Sequence, residues 1–376
     1  MPEAFILSAV RTPIGKGKPG GALYPFQPVE LAAAALTEAV RRAGVHPVRV
    51  DDVIWGVVTP IRDQGANLGR LAVLKAGFPV EVPAVSINRM CGSSQQAVHF
   101  AAQAVLADDM DIVVAGGTEM MSHQPLGADY PETWPQMPYE LIHQGLSAEL
   151  IAEKWSLTRE MLDDFGYESH LRAMRAIQEN RFDAQILPLT RSDGRVVKTD
   201  EGVRMPPDRE KMRTLPPAFK PDGVITAGNA SQISDGAAAL VIASAKAVGR
   251  YNLMPRARIV ARAVVGTDPT LMLDGPIPAT RKVLKMAGLT LDDMDVIEIN
   301  EAFASVVLAW QKELQPDMRK VNPNGGAIAH GHPLGATGAV LMTKLLSELE
   351  RIGGRYGLQV MCIGHGMATA TIIERV

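Results

Sequence analysis

The sequence predicts an α/β protein that is built from two similar halves, with a further domain inserted into the first half. Apolar, β-branched runs alternate along the chain with Ala-rich runs of helical spacing. The order of these runs repeats, and a polar, Pro-rich region interrupts the first copy. Of the 376 residues, 47% are hydrophobic and 21% are charged, which suits two or three domains with large cores.

Two pairs of segments carry the repeat. Residues 39–58 resemble residues 283–302, since each gives a helix ending in Ala-Gly, a short acidic linker and a strand that begins Val-Ile. Residues 111–121 parallel residues 358–368, an apolar strand that ends in a glycine-rich turn. Any two α/β segments share some features, but the matched order of several elements favours a duplication. We predict two related units in which strands and helices alternate.

The region between the halves differs in composition. Residues 117–223 are polar and Pro-rich in places, and they contain one amphipathic helix for which Thr158 is the predicted N-cap. We predict an insertion domain here. The predicted domains are therefore residues 1–116 with 224–252, residues 117–223, and residues 253–376.

Charge and cysteine usage exclude several classes of protein. The net charge is −3 and no long basic run is present, so nucleic acid is not a predicted partner. No apolar run approaches the ~20 residues that span a bilayer. Two cysteines do not make a disulfide framework, and the first residues lack the pattern of a signal peptide. We expect a soluble cytoplasmic protein.

Cys91 lies in an unusual place for one of only two cysteines. The segment VPAVSI before it predicts a buried strand, and SSQQAVHFAAQAVLA after it predicts a buried helix. A helix N-terminus favours a thiolate, and Gly92 permits the close approach of a ligand. A small buried hydrophobic residue is the alternative, and the position alone leaves both open.

Three more segments place polar side chains at predicted strand ends or helix starts, where open α/β sheets bind ligands. They are EINEAFA with Asn300 and Glu301, the glycine-rich residues 322–338 with His330 and His332, and MCIGHGMATA with Cys362, Gly364 and His365.

These residues allow two kinds of chemistry. Zinc could be ligated by four of them, His330, His332, Cys362 and His365, although the adjacent glycines would make such a site flexible. Two thiols, an imidazole, an amide and glycine turns suit acyl transfer better. A thiol nucleophile needs a base, and backbone N–H groups in glycine turns can stabilise an oxyanion.

The chain also resembles a known family. Its segments look like the signature segments of thiolases over essentially the whole length: SAVRTPIGK, NRMCGSSQQAV, GGTEMMS, TREMLDDFGYESHLRA, TAGNASQISDGAAA, NEAFA, NPNGGAIAHGHPLGATG and CIGHGMA. The resemblance implies the thiolase fold, with two βαβαβαββ halves forming a five-layer core. It also implies that the inserted loop domain binds coenzyme A and supports oligomers.

Roles follow from the resemblance at matching positions. Cys91 would be the nucleophile that becomes acylated, and His332 its base. Cys362 would be the acid and base that acts on the α-carbon of acetyl-CoA. Asn300 would hold a water that forms one oxyanion hole with His332, and the backbone N–H groups of Cys91 and Gly364 would form the other.

The resemblance also implies the ligands. Coenzyme A and acyl-CoA would be substrates, with no permanently bound cofactor and no metal, and the matching coenzyme A positions are Arg204, Ser231 and His143. The family assembles as dimers or tetramers. Three residues depart from the usual pattern near the expected acyl path and leave substrate choice open: His330, His365 and Gln144.

The implied reaction is thiolytic cleavage of 3-ketoacyl-CoA to acetyl-CoA and a shortened acyl-CoA, as in fatty acid β-oxidation, or the reverse Claisen condensation. The alternative is a biosynthetic acetyl-CoA acetyltransferase that makes acetoacetyl-CoA. The segment MSHQPLG resembles the degradative group slightly more. Ketoacyl synthases commonly use Cys-His-His, so Asn300 and Cys362 argue against that class. A non-catalytic relative would lack Cys91 or His332, and both are present.

Overall fold

A computed structural model describes residues 2–376. The strands are β1 (Ala4–Arg11), β2 (Gly15–Lys16), β3 (Asp52–Gly56), β4 (Ala84–Ile87), β5 (Ile112–Met120), β6 (Leu189–Thr190), β7 (Val196–Val197), β8 (Ser234–Ser244), β9 (Ala257–Gly266), β10 (Val296–Ile299), β11 (Tyr356–Ile363) and β12 (Met367–Arg375). The α-helices are α1 (Pro28–Arg42), α2 (Leu68–Lys75), α3 (Ser93–Leu106), α4 (Gln144–Lys154), α5 (Arg159–Gln178), α6 (Arg209–Arg213), α7 (Ala245–Tyr251), α8 (Pro276–Ala287), α9 (Ala304–Leu314), α10 (Ala327–His330) and α11 (Thr337–Ile352).

The two halves have the same order of elements. The first runs β1-α1-β3-α2-β4-α3-β5-β8, the predicted βαβαβαββ pattern. The second follows the same order, but its third strand is reduced to a single bridge between Ile297 and Val321. The Asn322 side chain takes the place of the missing strand hydrogen bonds. Its Oδ1 accepts from the N–H of Ile299 and its Nδ2 donates to the C=O of Ile299, both at 2.9 Å. Pro323 then ends the strand, since proline has no N–H to donate.

The sequence repeat corresponds to equivalent elements. Residues 39–58 contain the end of α1 and all of β3, and residues 283–302 contain the end of α8 and all of β10. Residues 111–121 contain β5, and residues 358–368 contain most of β11. The predicted duplication therefore describes the architecture.

Five layers stack in the core. The strands run in the order β10-β11-β12-β9-β1-β8-β5-β3-β4, and the halves join where β1 pairs with β9 through Phe5–Arg258 and Ile6–Ala257. Helices α3 and α11 pack on each other at the centre, and α11 contacts strands of both halves. Helices α1 and α2 cover the outer face of the first half, and α8 and α9 that of the second. The thiolase-type layering expected from the resemblance is confirmed.

Two local expectations need adjustment, and a third is confirmed. Strand β4 was expected to be buried, but it is an edge strand and Val85 is 42% exposed. Strand β5 continues to Met120, past the predicted domain boundary at residue 116. The amphipathic helix is α5, and the Thr158 hydroxyl accepts from the N–H of Met161 as predicted, at 3.3 Å. Within residues 2–376, no helix has the length and apolar character to cross a membrane.

Candidate active site

Cys91 lies at the turn from β4 to α3, and it is buried. A Cβ on the next residue, Gly92, would overlap the side chain of Ile363 at the end of β11. Glycine therefore lets this turn of the first half approach a strand of the second half closely.

Burial determines the protonation state of the Cys91 thiol. It raises the pKa of Cys91 to about 11, although the backbone N–H groups of Gly364 and Cys91 act in the opposite direction. The helix N-terminus therefore does not leave a thiolate in the free protein. Desolvation outweighs the helix dipole, so the thiol needs a base.

His332 lies in the loop before α11, and its hydrogen bonds define its tautomer. Its Nδ1 is 2.7 Å from Oγ1 of Thr337, whose hydroxyl donates to the C=O of Pro333 at 2.8 Å. That oxygen therefore accepts from Nδ1–H, which places the lone pair of the ring on Nε2. Burial lowers the pKa of His332 to about 4, so the imidazole is neutral near pH 7.

Asn300 links His332 to the second thiol. It follows β10, and its Nδ2 is 3.3 Å from His332 Nε2. The same side chain also lies beside Cys362, while its buried Oδ1 has no protein partner among residues 2–376. An unpartnered buried amide oxygen can accept a hydrogen bond from a water or a substrate.

Cys362 lies at the end of β11, one residue before its last, and is paired with Ala368. Burial raises the pKa of Cys362, and the nearby Cys91 raises it further. A thiol in this setting keeps its proton. Gly364 follows the strand and directs its N–H towards Cys91. The structure thus brings together the predicted catalytic residues, which are Cys91, His332, Cys362, Asn300 and Gly364.

Glu119 supports this arrangement and was not singled out from the sequence. The buried carboxylate lies near the end of β5 and accepts from the N–H of Gly335 at 2.9 Å, in the loop that carries His332. It also accepts from the N–H groups of Val58 and Thr59. Its position in GGTEMM, beside a glycine pair at a strand end, was the available signal.

His330 is not placed for metal binding. Its Nδ1 is 2.8 Å from Oδ2 of Asp200, and its Nε2 is 2.9 Å from the C=O of Asn324. Both partners are acceptors, so both nitrogens donate. Arg11 completes this buried cluster with an ion pair to Asp200 at 2.7 Å. With both His330 nitrogens engaged, the zinc alternative loses one of its four ligands.

The three predicted coenzyme A residues lie in different places around this centre. Arg204 lines a cavity of about 370 Å³ that Lys211 and Gln232 also line. Ser231 donates its N–H to the C=O of Ala302 at 2.9 Å. His143 begins α4 and lines a second cavity.

The fold and the two-thiol site define an enzyme class, an acyltransferase that acts on coenzyme A thioesters. Family comparison agrees: residues 4–246 match the thiolase N-terminal domain and residues 253–375 match the thiolase C-terminal domain. The chain belongs to the thiolase family.

Individual relatives align over nearly their full lengths. The chain is 49% identical to the steroid 3-ketoacyl-CoA thiolase FadA6 of Mycobacterium tuberculosis, over all of this chain and 95% of the relative. It is 42% identical to the beta-ketoadipyl-CoA thiolase of Acinetobacter baylyi, with both chains fully covered. The crystal structure of the Bacillus anthracis acetyl-CoA acetyltransferase superposes with a TM-score of 0.92 at 42% identity, covering 100% of this chain and 99% of that one.

Proposed function

We propose that this protein cleaves 3-ketoacyl-CoA with coenzyme A, giving acetyl-CoA and a shortened acyl-CoA, and that it can run the reverse condensation. The observation that carries the proposal is a neutral, tautomer-fixed imidazole that Asn300 connects to the buried Cys362, with the buried Cys91 close to that second thiol. The names of the 3-ketoacyl-CoA thiolases among its relatives support the same direction.

In the first step, His332 Nε2 takes the proton of Cys91, and the sulfur attacks the 3-keto carbon. The bond between C2 and C3 then breaks, and the enolate of acetyl-CoA takes a proton from Cys362. Coenzyme A enters and gives its thiol proton to the Cys362 thiolate. Its sulfur attacks the acyl group, and Cys91 leaves with the proton held by His332.

Charge develops on carbonyl oxygens in both steps, and the site supplies donors for it. The N–H groups of Cys91 and Gly364 would receive the oxyanion formed at the carbon that Cys91 attacks. A water bound to Asn300, together with His332, would receive the enolate oxygen. The unpartnered Oδ1 of Asn300 supports this position for the water.

Coenzyme A would enter through the cavity that contains Arg204 and Lys211, whose charges suit its phosphates. Its pantetheine arm would then pass Ser231 and His143 on the way to Cys91. Residues 117–223 would form the coenzyme A-binding loop domain, between segments 1–116 and 224–252 of the first half and residues 253–376 of the second.

We also propose a homodimer, or a tetramer built from it, that works in the cytoplasm. Edge strand β4 carries exposed Val85, and the exposed side chains of Leu71, Leu74 and Phe100 belong to the neighbouring α2 and α3. An unpaired edge with apolar neighbours favours pairing with a second copy. The two free cysteines suit a reducing compartment.

Acetyl transfer and carbon–carbon chemistry can be tested separately. A Cys362→Ala variant should still accept acetyl on Cys91 from acetyl-CoA, as read by peptide mass spectrometry. It should fail in thiolysis and in exchange of the acetyl methyl protons with deuterated water, because no thiol protonates the enolate. The control, Cys91→Ala, should carry no acetyl. Exchange at the wild-type rate in Cys362→Ala would show that another group moves the carbon-bound proton.

A further inference from the structure

The second cavity lies next to the turn that carries Gly364, since His365 of that turn lines it. Gln144 lines it, and a Cβ on Gly364 would lie 3.2 Å from Gln144 Nε2. Met272, another lining residue, packs in the same apolar cluster as Cys362. Burial raises the pKa of Tyr130, also in the lining, and Cys91 is near enough to add to that shift. Residues that line the cavity therefore lie near both thiols.

Aromatic rings form one wall of this cavity. Tyr130 and Trp134 stack with their ring centroids 4.4 Å apart and their planes at 4°. The edge of His365, from the turn between β11 and β12, meets Trp134 with the centroids 4.6 Å apart. This wall joins the inserted region to the second half. Flat aromatic surfaces favour another ring, by offset stacking or edge contact.

The size of the cavity limits what can enter. Its volume is about 210 Å³. An engineered cavity of about 150 Å³ binds benzene, so this one holds a single ring with a short linker. A long straight acyl chain would exceed it.

The lack of a cationic side chain among the described lining residues further limits which acyl groups the cavity can hold. Neither lysine nor arginine lines the cavity within residues 2–376. Its imidazoles are those of His143, whose Nδ1 accepts the N–H of Gly145, and of His365, whose pKa is lowered by burial. A carboxylate at the end of an acyl group would lose its hydration without a cationic partner.

We propose that this cavity is the acyl pocket and that it selects 3-ketoacyl-CoA substrates whose acyl group ends in a compact apolar ring. Long straight chains and chains that end in a carboxylate are poorer substrates. The inference rests on the proposed thiolase reaction, and it adds the chemical class of the acyl group.

The test compares four substrates with the full-length protein: 3-oxo-5-phenylpentanoyl-CoA, 3-oxohexadecanoyl-CoA, 3-oxoadipyl-CoA and acetoacetyl-CoA. The phenyl substrate should have a kcat/KM at least about tenfold above those of the hexadecanoyl and adipyl substrates. Equal or higher values for either of those two would overturn the proposal. Failure to cleave any of the four would instead refute the proposed reaction.

Trp134→Ala should lower the preference for the phenyl substrate over acetoacetyl-CoA by about tenfold, because the stacking wall is lost. Trp134→Phe should retain most of it. Tyr139→Ala is the matched control, since Tyr139 is in the same segment and 65% exposed. A uniform loss on all substrates in Trp134→Ala would show a structural role and contradict ring recognition.

Binding gives a reading that does not depend on turnover. In a Cys91→Ala protein, calorimetry should give a Kd for the phenyl substrate at least about tenfold below that for the hexadecanoyl substrate. Equal dissociation constants would overturn the pocket assignment even if the thiolase reaction proves correct.

Discussion

His332 is prepared for its role by a hydroxyl five residues further along the chain. Thr337 accepts from Nδ1, and its own proton is engaged by Pro333. The hydroxyl therefore cannot reverse its direction, and the imidazole keeps its lone pair on Nε2. Thr337 is a positioning residue, since it acts on the base and not on the substrate.

We expect Thr337→Val to lower kcat for thiolysis about tenfold or more, because a buried N–H without an acceptor costs about 1–3 kcal/mol and the competing tautomer gains population. Thr337→Ser should restore most of the rate, since it keeps the hydroxyl. Steady-state kinetics of the two variants are the measurement. Equal losses in both would indicate a packing effect of the missing methyl group.

The pH dependence of Cys91 reactivity follows from the direction of two shifts. Burial raises the pKa of Cys91 to about 11 and lowers that of His332 to about 4, so both are neutral in the free protein at pH 7. The thiolate fraction therefore grows as pH rises towards 11. In Cys362→Ala, where Cys91 is the single thiol, iodoacetamide labelling should accelerate about tenfold per pH unit between pH 6 and 9. A plateau across this range would indicate a thiolate–imidazolium pair.

Sequence motifs identify the candidate reacting groups but not their environment. Cys91, His332, Cys362 and Asn300 were found because each stands in a short, recognisable turn. The charge state of Cys91 could not be predicted, because Cys91 is buried in a cluster with Ile363, which is remote in sequence. Thr337 was passed over for a related reason, since its effect depends on hydrogen-bond direction.

At the scale of elements, the crossing of α3 and α11 sets the distance between the nucleophile and the base. Each helix begins just after one of the two catalytic turns. A Cβ at Gly338 on α11 would overlap the backbone nitrogen of Gln95 on α3. The helices therefore approach at backbone contact, which only glycine allows.

We expect Gly338→Ala to push the helices apart, reduce acetylation of Cys91 and destabilise the fold by roughly 1–3 kcal/mol, the usual range for overpacking. Gly249→Ala is the control, because a Cβ there meets nothing within 4 Å and Gly249 lies in α7. Denaturant unfolding and the acetylation burst are the measurements. Wild-type values for Gly338→Ala would show that the crossing tolerates a methyl group.

Elements were predictable where local pattern and tertiary role agree. The repeated order of strands and helices could be predicted from the spacing of apolar residues and from the residues typical of turns. The third strand of the second half was not, because the Asn322 side chain takes over the ladder hydrogen bonds. The exposure of β4 was also hidden, since a β-branched run looks the same in a central strand and in an edge strand.

At the scale of the whole molecule, the exposed edge strand β4 predicts where two copies of the chain pair. Val85→Arg places a charge on the exposed face of that edge and should shift the mass measured by light scattering towards the monomer. Val48→Arg is a control at a similarly exposed valine outside this surface. An unchanged oligomer in Val85→Arg would exclude β4 as the pairing edge.

The matching positions of Cys91 and His332 have a consequence for how this enzyme could arise. Both residues occupy the third strand-to-helix turn of their own half, and the two following helices pack on each other. Two identical copies of an ancestral half would have placed identical turns opposite each other. The positions of Cys91 and His332 would then have held the same residue. Fusion into one chain removed that constraint. Each turn could then change alone, one becoming a nucleophile and the other its proton acceptor.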